Sequence, residues 1–217
     1  MAIPAHRRRS RARKSINAAI NVAIAALALF PILWGISASF KPADRILEFP
    51  PQLLPTAPTL EHYLRIFNDQ AGYYMFNSAA ISAASVLLCL AVGAFAAYAL
   101  ARFEFCGRGT VIVVIVAIMS IPIASLLVPT FTMLSTIGLI DTRTGLILLY
   151  TAYQLPVVVW MLYGYFQSLP VEIENAARID GYTPFQTLLR IVLPLSRPAL
   201  VAAALFVLVF AWNDFVV

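Results

Sequence analysis

Charged residues in this chain gather in short clusters, and the uncharged runs between them dictate what it can fold into. Such runs extend from Ser15 to Phe40, Gln70 to Ala101, Gly109 to Ile140 and Thr144 to Val171. Each is longer than the roughly 20 residues that an apolar helix needs to cross a bilayer core. A fifth run, Pro198 to Asn213, is shorter but continues past Asp214 into Phe215, Val216 and Val217. Composition agrees: 61% of the 217 residues are hydrophobic and 12% charged, against roughly 25% charged in a soluble domain. Segments such as Val111 to Met119 and Val201 to Phe210 are apolar throughout, without the alternation of a barrel strand, so the spans are helices. The fold class is all-α and polytopic, with spans near 18–40, 77–101, 110–131, 145–166 and 199–217.

Six basic residues lie between Arg7 and Lys14, which by the positive-inside rule puts the N-terminal tail, residues 1–17, in the cytoplasm. Alternation then places Arg102, Arg108, Arg178, Arg190 and Arg197 on the same side, and Lys41, Arg45, Arg65 and Arg143 outside. The net charge of +5 is therefore a topology signal beside membrane lipid, and no nucleic-acid partner is expected. A secretory signal ending at Ser37-Ala38-Ser39 is the other reading of the N-terminus; an apolar run of about 23 residues, followed by more spans, favours an uncleaved helix.

Little here suggests catalysis. Cys89 and Cys106 fall at different depths, His6 and His62 have no partner at metal-ligand spacing, and no phosphate-cradling loop precedes a Lys-Ser/Thr pair. A membrane-embedded enzyme would need a nucleophile, paired carboxylates or metal ligands converging at one depth. A passive channel or secondary transporter, the other alternative, would be expected to carry charges within several spans.

Several local features follow from the residues. Five prolines between Lys41 and Phe76 break the outer segment, leaving "TLEHYLRIF" as a short interfacial helix capped by Thr59. The second span is rich in Ala, Ser and Gly, which permits close helix packing. Pro122 and Pro129 predict a kink in the third span. In the fourth, Tyr150, Tyr153 and Gln154 share a face that either lines a polar path or serves as packing and interface belt. Asn213 and Asp214 form a strongly polar pair in the fifth, placed either on that path or at the outer interface.

Between the fourth and fifth spans, residues 167–197 form an amphipathic interruption. Pro170 opens a helix whose ridge holds Ile173, Ala176, Ala177 and Asp180, and Gly181 stops it. Thr183 caps a second helix with Pro184 at its first position and Phe185, Leu188, Leu189 and Val192 along one stripe; Pro194 ends it. Periodicity leaves two readings of this hairpin, a membrane-surface loop or an element that docks into a partner's cleft.

The arrangement of Ala176, Ala177, Asp180 and Gly181, followed by Ile191, Leu193 and Pro194, resembles the EAA loop of binding-protein-dependent ABC transporter permeases. "SFKP" at Ser39 to Pro42, "YALARFEF" at Tyr98 to Phe105 and "FAWNDF" at Phe210 to Phe215 resemble the sugar-transport branch, on the side of the maltose-type second permease. The resemblance implies a bacterial or archaeal plasma-membrane importer in which this chain pairs with a second permease. Two ATPase subunits would lie beneath, carrying the ATP and Mg that this chain does not bind itself, and an extracytoplasmic solute-binding protein would deliver the solute. It further implies that the segment containing Glu174, Asn175, Ala176, Ala177, Asp180 and Gly181, with Leu193 and Pro194, couples to the ATPase. Asn175 departs from the family pattern, which has Glu there; Glu174 stands one position earlier, about 100° away around a helix. The family core has six spans and five are present, so the resemblance also implies a chain lacking its last span and the outer loop before it.

Overall fold

The computed structural model describes the backbone of residues 5–68 and 70–214, with side chains from residue 14 onward except at 15 and 68. Every regular element among these residues is helical. The long helices are α1 (Ala5–Ser39), α3 (Ala71–Arg102), α6 (Arg143–Ser168) and α10 (Arg197–Asn213), with α2 (Glu61–Asn68), α4 (Arg108–Met119), α5 (Leu127–Thr136), α7 (Val171–Ile179), α8 (Pro184–Thr187) and α9 (Leu193–Leu195) between them. Among the described residues, three helices are long and apolar enough to cross a membrane, or up to five if each of two sharply bent pairs forms one span. Helix α1 is already formed at Ala5, so the basic stretch and the apolar run share one helix. The expected end of the fifth span at 215–217 lies outside the described residues.

Two compact units divide near Gly72. In the first, none of the apolar span Ile16–Ser39 is buried within the chain. The proline-rich stretch folds over the end of α1 instead. Lys41, although charged, is only 3% exposed; its ammonium sits 4.7 Å from the Trp34 ring centroid and donates to the Gln52 carbonyl, and its own carbonyl contacts His62 Nε2 at 2.8 Å. Thr59 Oγ1 accepts from the Glu61 amide at 3.1 Å at the start of α2, whose apolar face (Leu64 and Phe67) remains exposed.

The second unit is built around α3, α6 and α10. Cys89, Ala97, Val158, Leu162, Phe166, Ala203 and Val207 are fully buried and form one core. The small residues of α3 allow this closeness: a Cβ at Gly93 would lie 2.7 Å from Val158 Cγ1. The apolar, Ala-rich face is therefore a helix contact.

The third span is broken rather than kinked. Helices α4 and α5 meet at 93°. Pro122 has no N–H to continue α4, and its ring clashes with the preceding turn. The chain passes through a 3-10 turn at Ile123–Leu126, then restarts at Leu127 with Pro129 in the first turn, where a missing N–H is harmless. Two prolines seven residues apart thus end one helix and begin another. Helix α6 in contrast runs through Pro156, starting at an N-cap where Thr142 Oγ1 accepts from the Gly145 amide at 3.0 Å.

Candidate functional site

The hairpin between α6 and α10 is shaped by its caps. Helix α7 ends in a Schellman arrangement: the Tyr182 amide donates to the Ala177 carbonyl at 3.0 Å and the Gly181 amide to that of Arg178 at 3.1 Å. This geometry needs the positive φ of 87° at Gly181, which glycine adopts without a Cβ penalty. Two residues on, Thr183 and Gln186 form a reciprocal capping box, with Pro184 at the first helical position. The second arm is not a uniform α-helix. Its middle, Leu188–Val192, is a π-turn closed by the Leu193 amide on the Leu188 carbonyl. Pro194 does not end the arm, which runs on through Leu195 before α10 departs at 81°.

Which residues face outward differs from the sequence reading. Asn175, Ala176, Asp180 and Gly181 are exposed, but Ala177 is 3% exposed and Glu174 2%. Ile173 faces outward as expected, whereas the largest outward apolar side chain of α7 is Ile179, 87% exposed and absent from the predicted ridge. In the second arm Leu188 and Val192 are buried together with Thr187, while Phe185 and Leu189 stay exposed. Leu193 is half-buried and Pro194 exposed.

Glu174 is the centre of a buried polar cluster that sequence reasoning missed. Arg102 Nε donates to Glu174 Oε1 at 2.6 Å, with side chains 6% and 3% exposed respectively. The Tyr98 hydroxyl donates to Glu174 Oε2 at 3.0 Å, and Arg102 Nη2 reaches the Leu169 carbonyl at 3.3 Å. Tyr98 also packs edge-on against Phe166 and Phe103. Both carboxylate oxygens are thus engaged, which a buried charge requires. A signal was present: Tyr98 and Arg102 are four apart, hence on one face at the end of an apolar helix.

Of the five residues suggested for a polar path, the structure brings two to one cavity. Tyr153 and Gln154 line a cavity of about 390 Å³ with Phe206, Phe210 and the end of α4. Tyr153 is also tied to α5 by a 2.9 Å hydroxyl contact with Thr130. Gln154 is 4% exposed, and its Oε1 has no hydrogen-bond partner within the chain. Tyr150 stands apart, edge-on to Phe210 with ring centroids 6.0 Å apart. Asn213 is exposed and bonds back to the Val209 carbonyl at 2.8 Å, so the structure does not bring it to the others. Asp214 is the C-cap of α10. Among the described residues, no cluster of three or more His, Cys, Asp or Glu is placed to hold a metal ion.

The family model described as binding-protein-dependent transport system inner membrane component matches residues 89–217. The trehalose transport system permease protein SugB of Mycobacterium tuberculosis is 37% identical over 91% of this chain and 72% of its own length. The diacetylchitobiose uptake system permease protein NgcG of Streptomyces coelicolor is 36% identical over 93% of this chain and 67% of its own. A crystal structure of a bacterial ABC transporter involved in the import of the acidic polysaccharide alginate superposes with a TM-score of 0.80 at 25% identity, covering 99% of this chain and 75% of that one. The chain therefore belongs to the inner-membrane components of binding-protein-dependent transport systems, as a multi-pass permease of ATP-driven importers and not an enzyme, a class that works with a partner permease, an ATPase and a solute-binding protein.

Proposed function

We propose that this chain is one of two permease subunits of a carbohydrate importer, and that its hairpin, residues 170–195, docks into one of two ATPase subunits on the cytoplasmic side. The hairpin's outward surface carries this reading: Asn175, Ala176, Asp180 and Gly181 form a shallow ridge with Ile179 projecting beside it, held rigid by caps at both sides of the turn. An exposed apolar side chain flanked by small residues is what a helix presents to a partner groove. ATP and Mg would be bound by that partner, and ATPase closure would drive the spans between inward- and outward-open states. The basic residues between Arg7 and Lys14 support an N-terminus on the same side.

Asn175 projects into solvent, so it meets the ATPase as a neutral amide, without the salt bridge of a family Glu. Glu174 and Ala177 support the ridge from behind. A carbohydrate as solute is supported by the relatives, whose names specify trehalose, diacetylchitobiose and alginate. The cavity beside Tyr153 and Gln154 offers aromatic faces and one amide, chemistry that suits a sugar passing along it.

The test is Gly181→Asp. A Cβ there meets nothing within 4 Å in this chain, so the new carboxylate projects into open space where the partner would sit, but the φ of 87° strains any residue with a Cβ. Ala176→Asp, at an exposed helical position, places a carboxylate on the same ridge without that strain and must give the same result. We expect the ATPase to be lost on affinity purification, or its hydrolysis to continue without uptake. Retention of both association and uptake would refute the docking reading. Identifying the ligand of the cognate binding protein tests the carbohydrate assignment, which a non-carbohydrate ligand would overturn.

A further inference from the structure

We propose that Glu174 is a positioning residue that makes α3 follow the hairpin, through a clasp with Arg102 and Tyr98. The inference rests on the reading of the hairpin as the ATPase-docking element, and concerns how a displacement there reaches the bundle. Two of the three core helices need no special device. Helix α6 runs into α7 through Leu169 and Pro170, and α10 leaves the second arm through Ser196. Helix α3 lies 72 residues away in sequence at the Arg102 to Glu174 contact and is joined to the hairpin by side chains.

Those side chains make two kinds of contact. Along the second arm the contact is apolar: Phe95 stacks on Phe185 with ring centroids 5.8 Å apart, and Leu90, Ala94 and Phe95 face Leu188, Leu189 and Leu193 across a cavity of about 300 Å³. Apolar contact of this kind is non-directional and tolerates sliding. At the end of α3 the contact is directional. The guanidinium is shared between the Glu174 carboxylate and the Leu169 carbonyl, and the second carboxylate oxygen takes the Tyr98 hydroxyl. One group of four atoms therefore locks α3 to the end of α6 and to the back of α7 at once. Charge-assisted bonds of this type fix geometry as well as distance. A buried ion pair is weak evidence of stabilisation, since apolar replacements of similar volume often serve as well. Its place at this junction is accounted for by orientation: the hairpin's rear face is set against α3, while Asn175, Ala176 and Ile179 on its front stay free for a partner.

The experiment uses the complete transporter in lipid nanodiscs, with Mg-ATP as the probe and spin labels at Leu87 on α3 and Arg190 on the second arm, both exposed. With the clasp intact, α3 and the hairpin move as one body, and the distance between labels is the same without nucleotide and with Mg-ATP and vanadate. In Glu174→Gln the ATPase still co-purifies, but the distance becomes dependent on nucleotide, a change that mere loosening of the fold would not produce because it would affect both states alike. The exchange Arg102→Glu with Glu174→Arg restores independence. A distance that stays independent of nucleotide in Glu174→Gln overturns the proposal. So does loss of the ATPase from that variant, which would place Glu174 on the docking surface. If Glu174→Gln fails to assemble, Tyr98→Phe removes one hydroxyl while keeping its ring contacts, and must give the same dependence in smaller degree; its absence is equally fatal. Failure of the docking reading shows separately, as association and uptake both retained by Gly181→Asp.

Discussion

Between α3 and α6 the bundle buries polar side chains in two places, on opposite terms. At the hairpin end, Tyr98, Arg102 and Glu174 satisfy one another, and each hydrogen bond has a fixed direction. Midway along the same helices, Ser82 and Ser85 on α3 and Thr151 and Gln154 on α6 are buried with oxygens that have no partner within the chain. The first region joins elements at one geometry. In the second, the helices are held by small residues and shape, with Cys89 only loosely directed at the Thr151 carbonyl at 3.9 Å. On the function proposed above, the first would be a joint that does not yield, and the second a polar but uncommitted region where helices can rearrange.

Substitutions can break that contrast, beginning with the paired region. Glu174→Ala leaves the Arg102 guanidinium buried without its carboxylate, and should destabilise the purified transporter by about 3–5 kcal/mol in a thermal or denaturant assay. Replacing the pair together, as Arg102→Met with Glu174→Leu, should recover most of that loss without restoring the fixed orientation. Next is Gly93→Ala, which lies between the two regions. Its Cβ would press on Val158 at 2.7 Å, so the helices must part, at about 1–3 kcal/mol. The unpaired region should respond least in stability. Ser85→Ala and Gln154→Leu remove no hydrogen bond within the chain and should shift stability by less than about 1 kcal/mol in either direction. Gln154→Leu should still slow solute uptake, because Gln154 lines the cavity with Tyr153 and Phe206. A large stability loss in Gln154→Leu would show that its amide is committed to the fold, and the two regions would no longer differ.

How much of this was legible in the residues depends on the range of the interaction involved. The hairpin's turn was readable because caps act within a few residues: Gly181 at a positive φ and the Thr183 to Gln186 box are local events, whereas the end expected at Pro194 was overrun by one residue. Rotation about the axis of α7 was not. Ala177 looked outward by spacing alone, and turned inward because Glu174 one turn-edge away is drawn to Arg102. Similarly Pro122 announced a distortion of the third span, but a proline sets only where a helix yields. That α5 leaves at 93° and pins Tyr153 through Thr130 depends on what lies beside it. Lys41 was counted as an ordinary outer charge; its burial over Trp34 arises from a fold-back of the proline-rich stretch.

By itself, the sequence determined a helical, multi-span membrane chain with a capped amphipathic hairpin, since hydrophobic length, charge segregation and cap chemistry act along the chain; that the chain is a permease rests on its likeness to a family. Only the tertiary structure decided which face of the hairpin is free and which is anchored. That choice is made by a carboxylate and a guanidinium 72 residues apart, and a buried charge settles wherever the rest of the fold supplies its partner.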